Sequence, residues 1–119
     1  MKLVVKCLAV ILASTIFCAV IWICWVWHRT DDLALAFARV QHGDSAAQVV
    51  EIFRQPPTFI GTELQTNIDW DESWLTATSG VRCVQQFHFC PPFSICGEEW
   101  VVGFDERSNA VAKYHIVSP

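Results

Sequence analysis

From Cys7 to Trp27 the chain runs 21 residues without a charged side chain, and only Ser14 and Thr15 carry hydroxyls there. A helix needs about 20 apolar residues to cross a hydrocarbon core of about 30 Å. The spacing therefore predicts a transmembrane anchor over 7–27, with the rest of the chain a small domain held at a bilayer. Lys2 and Lys6 precede the segment, and Arg29, Asp31 and Asp32 follow it. The positive-inside rule counts Lys and Arg, which favours residues 1–6 as a cytoplasmic stub and a domain on the far side. Trp22, Trp25 and Trp27 crowd the exit end, where an aromatic belt would lie. A cleaved signal peptide is the competing reading, but its apolar region usually spans about 7–15 residues and closes on an Ala-x-Ala site. Here the run is longer and no such site closes it at Trp27. Neither Cys18 nor Cys24 follows a Leu-Ala-Gly type of tripeptide, so no lipid attachment is expected.

Beyond Trp27 about 92 of the 119 residues remain, enough for one small domain with a thin core. With Lys2 and Lys6 set aside, six Lys and Arg face all twelve Asp and Glu, a formal charge near −6. That balance argues against a nucleic-acid partner, which needs clustered positive charge. It also argues against adhesion to an anionic lipid surface.

Residues 28–42 read as a juxtamembrane helix. Leu33, Phe37 and Val40 recur on one face, Thr30 or Asp31 stands where a cap would be, and His42-Gly43 supplies the stop. With neither Pro nor Gly between it and the anchor, the two could form nearly one helix. Ser45 and Gln48 then make a capping box for a helix over 45–54, with Ala46, Val49, Val50 and Phe53 as its buried stripe and Pro56-Pro57 at its end. Phe59-Ile60 allows a short extended piece that Gly61 breaks. Three strands follow by period: 81–89, 98–104 and 110–117. Val81, Cys83, Gln85, Phe87 and Phe89 share one face of the first, a half-buried strand. Asp105 to Asn109 is a polar turn of hairpin length. The predicted fold class is α+β: a transmembrane helix, then a two-layer α-α-β-β-β sandwich with an antiparallel sheet.

Gly43-Asp44-Ser45-Ala46-Ala47-Gln48-Val49-Val50 resembles the glycine, small hydroxyl residue and buried valine that open the first helix in the SmpA/OmlA family. This family includes the small lipoprotein subunit of the outer-membrane β-barrel assembly machinery. Phe53-Arg54-Gln55-Pro56 stands where the family has a Leu-Gly-x-Pro-like turn, with Arg54 in place of the turn glycine. Trp100 to Asp105, a polar turn and Ala110 to Ile116 look like its final hairpin. The resemblance covers about 40–117, within an assigned domain of 43–119, and lacks the lipobox. It implies a compact non-enzymatic module that binds a protein partner in a bacterial envelope. With the anchor, it implies an inner-membrane protein with a periplasmic domain.

Candidate interface residues are Trp70, Trp74, Phe87, Phe89, Phe93 and Ile95. Trp70 and Trp74 are four apart and would share one side of a helical turn, and the others flank Pro91-Pro92. Each set has an alternative as core cover. Cys83, Cys90 and Cys96 allow three pairings for one disulfide in an oxidising compartment. Their spacing with His88, Cys-x4-His-x-Cys-x5-Cys, is unlike the close pairs of structural zinc sites. His28, His42, His88 and His115 are scattered, and neither a nucleophile elbow nor a His-Glu-x-x-His motif occurs. No catalytic residue, cofactor, metal or small-molecule substrate is expected. A membrane-tethered immunity protein, whose acidic surface would mask a basic toxin, is the second functional class.

Overall fold

The computed structural model describes residues 1–62, 82–92 and 97–117. Trp70, Trp74, Phe93, Ile95 and Cys96 lie outside those residues.

The apolar run and the segment after it are one helix, α1, over Lys2–Arg39. Its 38 residues span about 57 Å at 1.5 Å per residue. An apolar window within it is long enough to cross a membrane, and none of that window is buried against the rest of the chain. The hydroxyls inside α1 bond their own backbone. Thr15 Oγ1 donates to Ile11 O at 2.9 Å and Thr30 Oγ1 to Val26 O at 2.9 Å. Thr30 therefore sits mid-helix and caps nothing. The last turns of α1 enter the domain, where Leu33, Ala36 and Val40 are buried.

The end of α1 differs from the sequence expectation. Val40 turns extended (φ −65°, ψ 127°), three residues before Gly43. The buried ammonium of Lys113 donates to Phe37 O at 3.1 Å and to Val40 O at 3.2 Å, and lies 4.9 Å from the centre of the Phe37 ring. The stop is thus made from across the fold, not by the local glycine. Gly43 (φ +93°) shapes the following turn, where its N–H donates to Ala110 O.

Helix α2 over Ala46–Phe53 carries the expected capping box: Gln48 N–H donates to Ser45 Oγ at 3.2 Å and Ser45 N–H to Gln48 Oε1 at 2.8 Å. Two orphan donors of the first turn are satisfied locally, which is why the pattern was legible. Arg54 ends the helix in the left-handed region (φ 55°), where glycine is the easier residue.

The sheet has four antiparallel strands in the order β1 (Phe59–Gly61), β2 (Gln85–Phe89), β3 (Glu98–Phe104), β4 (Ala110–Val117). The Phe59-Ile60 piece is thus a paired strand, one more than the periodicity predicts. The polar turn between β3 and β4 is held by Asp105, whose Oδ1 accepts from Arg107 N–H and Asn109 N–H, both at 2.9 Å. Phe87, Phe89, Trp100, Val102 and Phe104 face the helices and form the core with Leu33, Ala36, Val40, Val49 and Phe53. The opposite face is withdrawn from solvent as well: Gln86, His88, Val101, Ala112 and Tyr114 are all buried. The half-buried strand expected from alternation is therefore buried on both faces.

Gly103 allows this sheet to close. A Cβ there would stand 2.6 Å from Cys83 Sγ and 3.3 Å from Ala112 Cβ. Gly103→Ala should cost about 1–3 kcal/mol, the usual range for overpacking. The double variant with Cys83→Ala should recover most of that loss. Urea midpoints of the two variants test it; a Gly103→Ala protein as stable as the parent would contradict it.

Candidate functional site

Phe87 and Phe89, two of the six candidate interface residues, point into the core and are 8% and 0% exposed. Phe89 stacks on Phe53 of α2 with ring centroids 3.7 Å apart and planes 1° from parallel. Phe87 tilts onto Phe104 at 4.7 Å. These aromatics join helix to sheet and offer no open contact surface. Their place on the same strand face as Gln85 fits this, since that face meets α1 and α2 (β2 pairs with β3 as Phe87↔Val102 and Phe89↔Trp100).

Among the described residues none of the candidate disulfide cysteines is paired. Each of the three expected pairings uses Cys83 or Cys90, and both are free thiols. The two flank β2, so extended chain holds them about 20 Å apart. Cys83 Sγ donates to Gln85 O at 3.5 Å, and Cys90 Sγ to Glu99 Oε1 at 3.5 Å. Glu99 also approaches buried His88, with Oε2 at 3.5 Å from Nδ1. The Phe59 ring meets His88 edge-on at 5.0 Å. A Cys, a His and a Glu are thus gathered, but the thiol bonds the carboxylate and not the imidazole. A base-activated thiolate needs the reverse order of contacts.

Burial pushes the Cys90 thiol up to about 11, and the Glu99 carboxylate adds to the rise. Burial, then the Glu99 carboxylate and Cys83, push the Tyr114 phenol up to about 12. Burial also raises Cys83. A thiolate nucleophile requires a lowered value, and both thiols are shifted the other way. Each acid holds its proton more tightly in the folded chain than in the unfolded one. Their contribution to stability is therefore complete below the ordinary values of 9.0 and 10.0 and is lost as pH rises through about 11 and 12. The urea midpoint should fall with alkaline pH across that window, and Tyr114→Phe should flatten the upper part of the fall. An unchanged slope in that variant would refute the assignment.

A cleft of about 260 Å³ opens between α1 and the end of α2. Arg29, Asp32 and Arg39 line it from α1, and Arg54 lines it from the α2 cap, with Ala36 and Phe53 buried beneath. Arg29 Nη2 donates to Gln55 Oε1 at 2.8 Å. Asp32 lies 3.6 Å from His28 Nε2. Among the described residues, none of the three guanidinium groups has a carboxylate within ion-pair distance. The cleft therefore carries an excess of positive charge inside an acidic chain. Residues 29, 32, 36 and 39 have helical spacing, so half of this site could be read from the sequence. Arg54 could not, because only the packing of α2 on α1 brings it there.

Among the described residues no group of three or more His, Cys, Asp or Glu is placed to hold a metal ion. No protein-family model matches the chain, and neither a curated protein nor a solved structure matches it.

Proposed function

We propose that this chain is a single-pass protein of the bacterial inner membrane, with a cytoplasmic N terminus and a periplasmic α+β domain. The domain serves as a non-catalytic module that binds a protein partner in an envelope assembly, in the manner that the SmpA/OmlA resemblance implies. The observation that carries this is α1. None of its apolar window is buried within the domain, and the same helix continues without a break into the domain core. Apolar surface of that extent requires a non-aqueous environment. The continuity leaves no flexible tether, so the domain is held at a fixed height above the bilayer. Phe59 and Ile60, 59% and 51% exposed on the short strand β1, add apolar surface for a partner.

The test is fractionation of cells carrying the full chain with a C-terminal tag. The protein should remain in the membrane pellet after an alkaline carbonate wash. Protease added to spheroplasts should remove the tag, leaving an N-terminal fragment protected. Cross-linking through a photoreactive residue at position 60 should trap an envelope protein, and Ile60→Asp should abolish it. Freely soluble intact protein, or a tag that protease never reaches, would overturn the topology. Rescue of cells from a toxin encoded next to the gene, with no envelope partner, would replace the assembly role by toxin neutralisation.

A further inference from the structure

We infer that the arginine-lined cleft between α1 and α2 binds the phosphate group of an anionic headgroup at the membrane surface. The lipid source of that phosphate rests on the membrane-anchored topology proposed above; the site itself does not. Three arginines, Arg29, Arg39 and Arg54, line one cavity with a single carboxylate, Asp32. Asp32 is turned toward His28, and Arg29 is held by a neutral amide, Gln55. The cleft thus retains net positive charge with donors unspent. Planar guanidinium groups match phosphate oxygens in fixed, paired geometry.

Position along α1 supplies the second element. Arg29 stands about 3 Å along the helix axis beyond Trp27, and Arg39 about 18 Å beyond it. The headgroup layer is about 5–8 Å deep on each side of the hydrocarbon core. Trp25 and Trp27 are exposed at the apolar boundary. The Arg29 end of the cleft is therefore at headgroup level, and Arg39 and Arg54 line its far end. Ala36 and Phe53 close the inner wall of the cleft with apolar surface. Arg54 adds a further mark. The α2 cap puts a non-glycine residue at φ 55° where glycine would sit more easily, and its side chain lines the cleft. Asp32 and the carbonyl end of α2 work against an anion, so the affinity rests on the arginines together. The overall acidity of the chain does not oppose the site, because three of the six Lys and Arg beyond Trp27 are gathered here.

The test uses the full chain in a non-ionic detergent. In one arm the protein is equilibrated with mixed micelles of phosphatidylcholine and phosphatidylglycerol in equal parts, and the retained lipid is quantified. Phosphatidylglycerol should be enriched by about tenfold or more, as expected for a few surface arginines acting together. Arg29→Gln, Arg39→Gln and Arg54→Gln combined should return the ratio to that of the micelle. Asp32→Asn, which keeps every arginine, should raise the enrichment a few-fold. In the other arm, inorganic phosphate and glycerol phosphate are titrated calorimetrically into lipid-free protein. Enrichment without titration heat identifies a lipid headgroup, and heat without enrichment identifies a soluble phosphate; both support the site. No preference in either arm overturns it, as does a preference unchanged in the triple variant or lowered by Asp32→Asn. Membrane retention of the anchor is measured separately, so failure of the site is distinguishable from failure of the topology.

Discussion

Phe89→Ala should bring the domain close to unfolding, with a loss of about 3–5 kcal/mol, the range for removing a buried aromatic ring. Phe89 is fully buried, stacked on Phe53 and set edge-on to Phe87 at 6.5 Å. The ring joins three elements: β2, which carries it, β3 through Trp100 opposite, and α2 through Phe53. Small domains bury a modest share of their surface, and total stabilities of about 5–15 kcal/mol leave little margin for such a loss. The stacked pair adds about 0.5–1.5 kcal/mol beyond area, so Phe53→Ala should fall in the same range and the double variant should cost less than the sum. Phe89→Leu, which refills most of the volume, should lose far less. Amide exchange across β2 and β3 in detergent measures all four. Protection in Phe89→Ala equal to that of the parent would show that the stack is not the centre of the core.

Lys113→Met should detach the end of α1 from the sheet at a cost of about 2–4 kcal/mol, summing two hydrogen bonds from a charged donor with partial relief by solvent. The ammonium binds Phe37 O and Val40 O where α1 ends, at the negative end of the helix dipole. Methionine keeps an apolar stem of similar length, so the loss reports the charge and not the packing. The two carbonyls would be left without this donor in a part-buried setting. The predicted signature is local: faster amide exchange from Val40 to Asp44 and a lower urea midpoint, while the α2 capping box stays protected. Lys113→Arg should retain much of the stability, because the charge remains. Equal exchange at Val40 in the Met variant would show that α1 is held by apolar contact alone. The contact thereby fixes how α1 meets the sheet.

Much of the fold was legible because its signals are short-range. The apolar run over 7–27, the Ser45-Gln48 box and the alternation of 98–104 and 110–117 each depend on neighbours a few residues away, and each appears as read. Local signals end the helical period at Val40, where α1 does stop, but do not give the cause: Lys113, 73 residues further on, bonds the Val40 carbonyl, and the His42-Gly43 stop lies beyond. The same limit explains β1, too short to show a period, whose pairing with β2 is visible only in the sheet register. Phe87 and Phe89 read equally well as an interface tip or as core, since alternation shows that a face is apolar and not what covers it.

The residues alone determined that a helix of membrane length leads the chain, that a capped helix follows, and that an antiparallel hairpin closes it. Hydrophobic period and capping act within a few turns or pleats, so no partner element is needed to read them. Only the tertiary structure decided which side chains of α1 enter the core and that Lys113 meets its end. It also decided that the aromatics of β2 face inward, and that Arg54 joins Arg29 and Arg39 around one cleft. Those outcomes depend on how α1, α2 and the sheet pack, and contacts between residues distant in the chain leave no periodic trace in it.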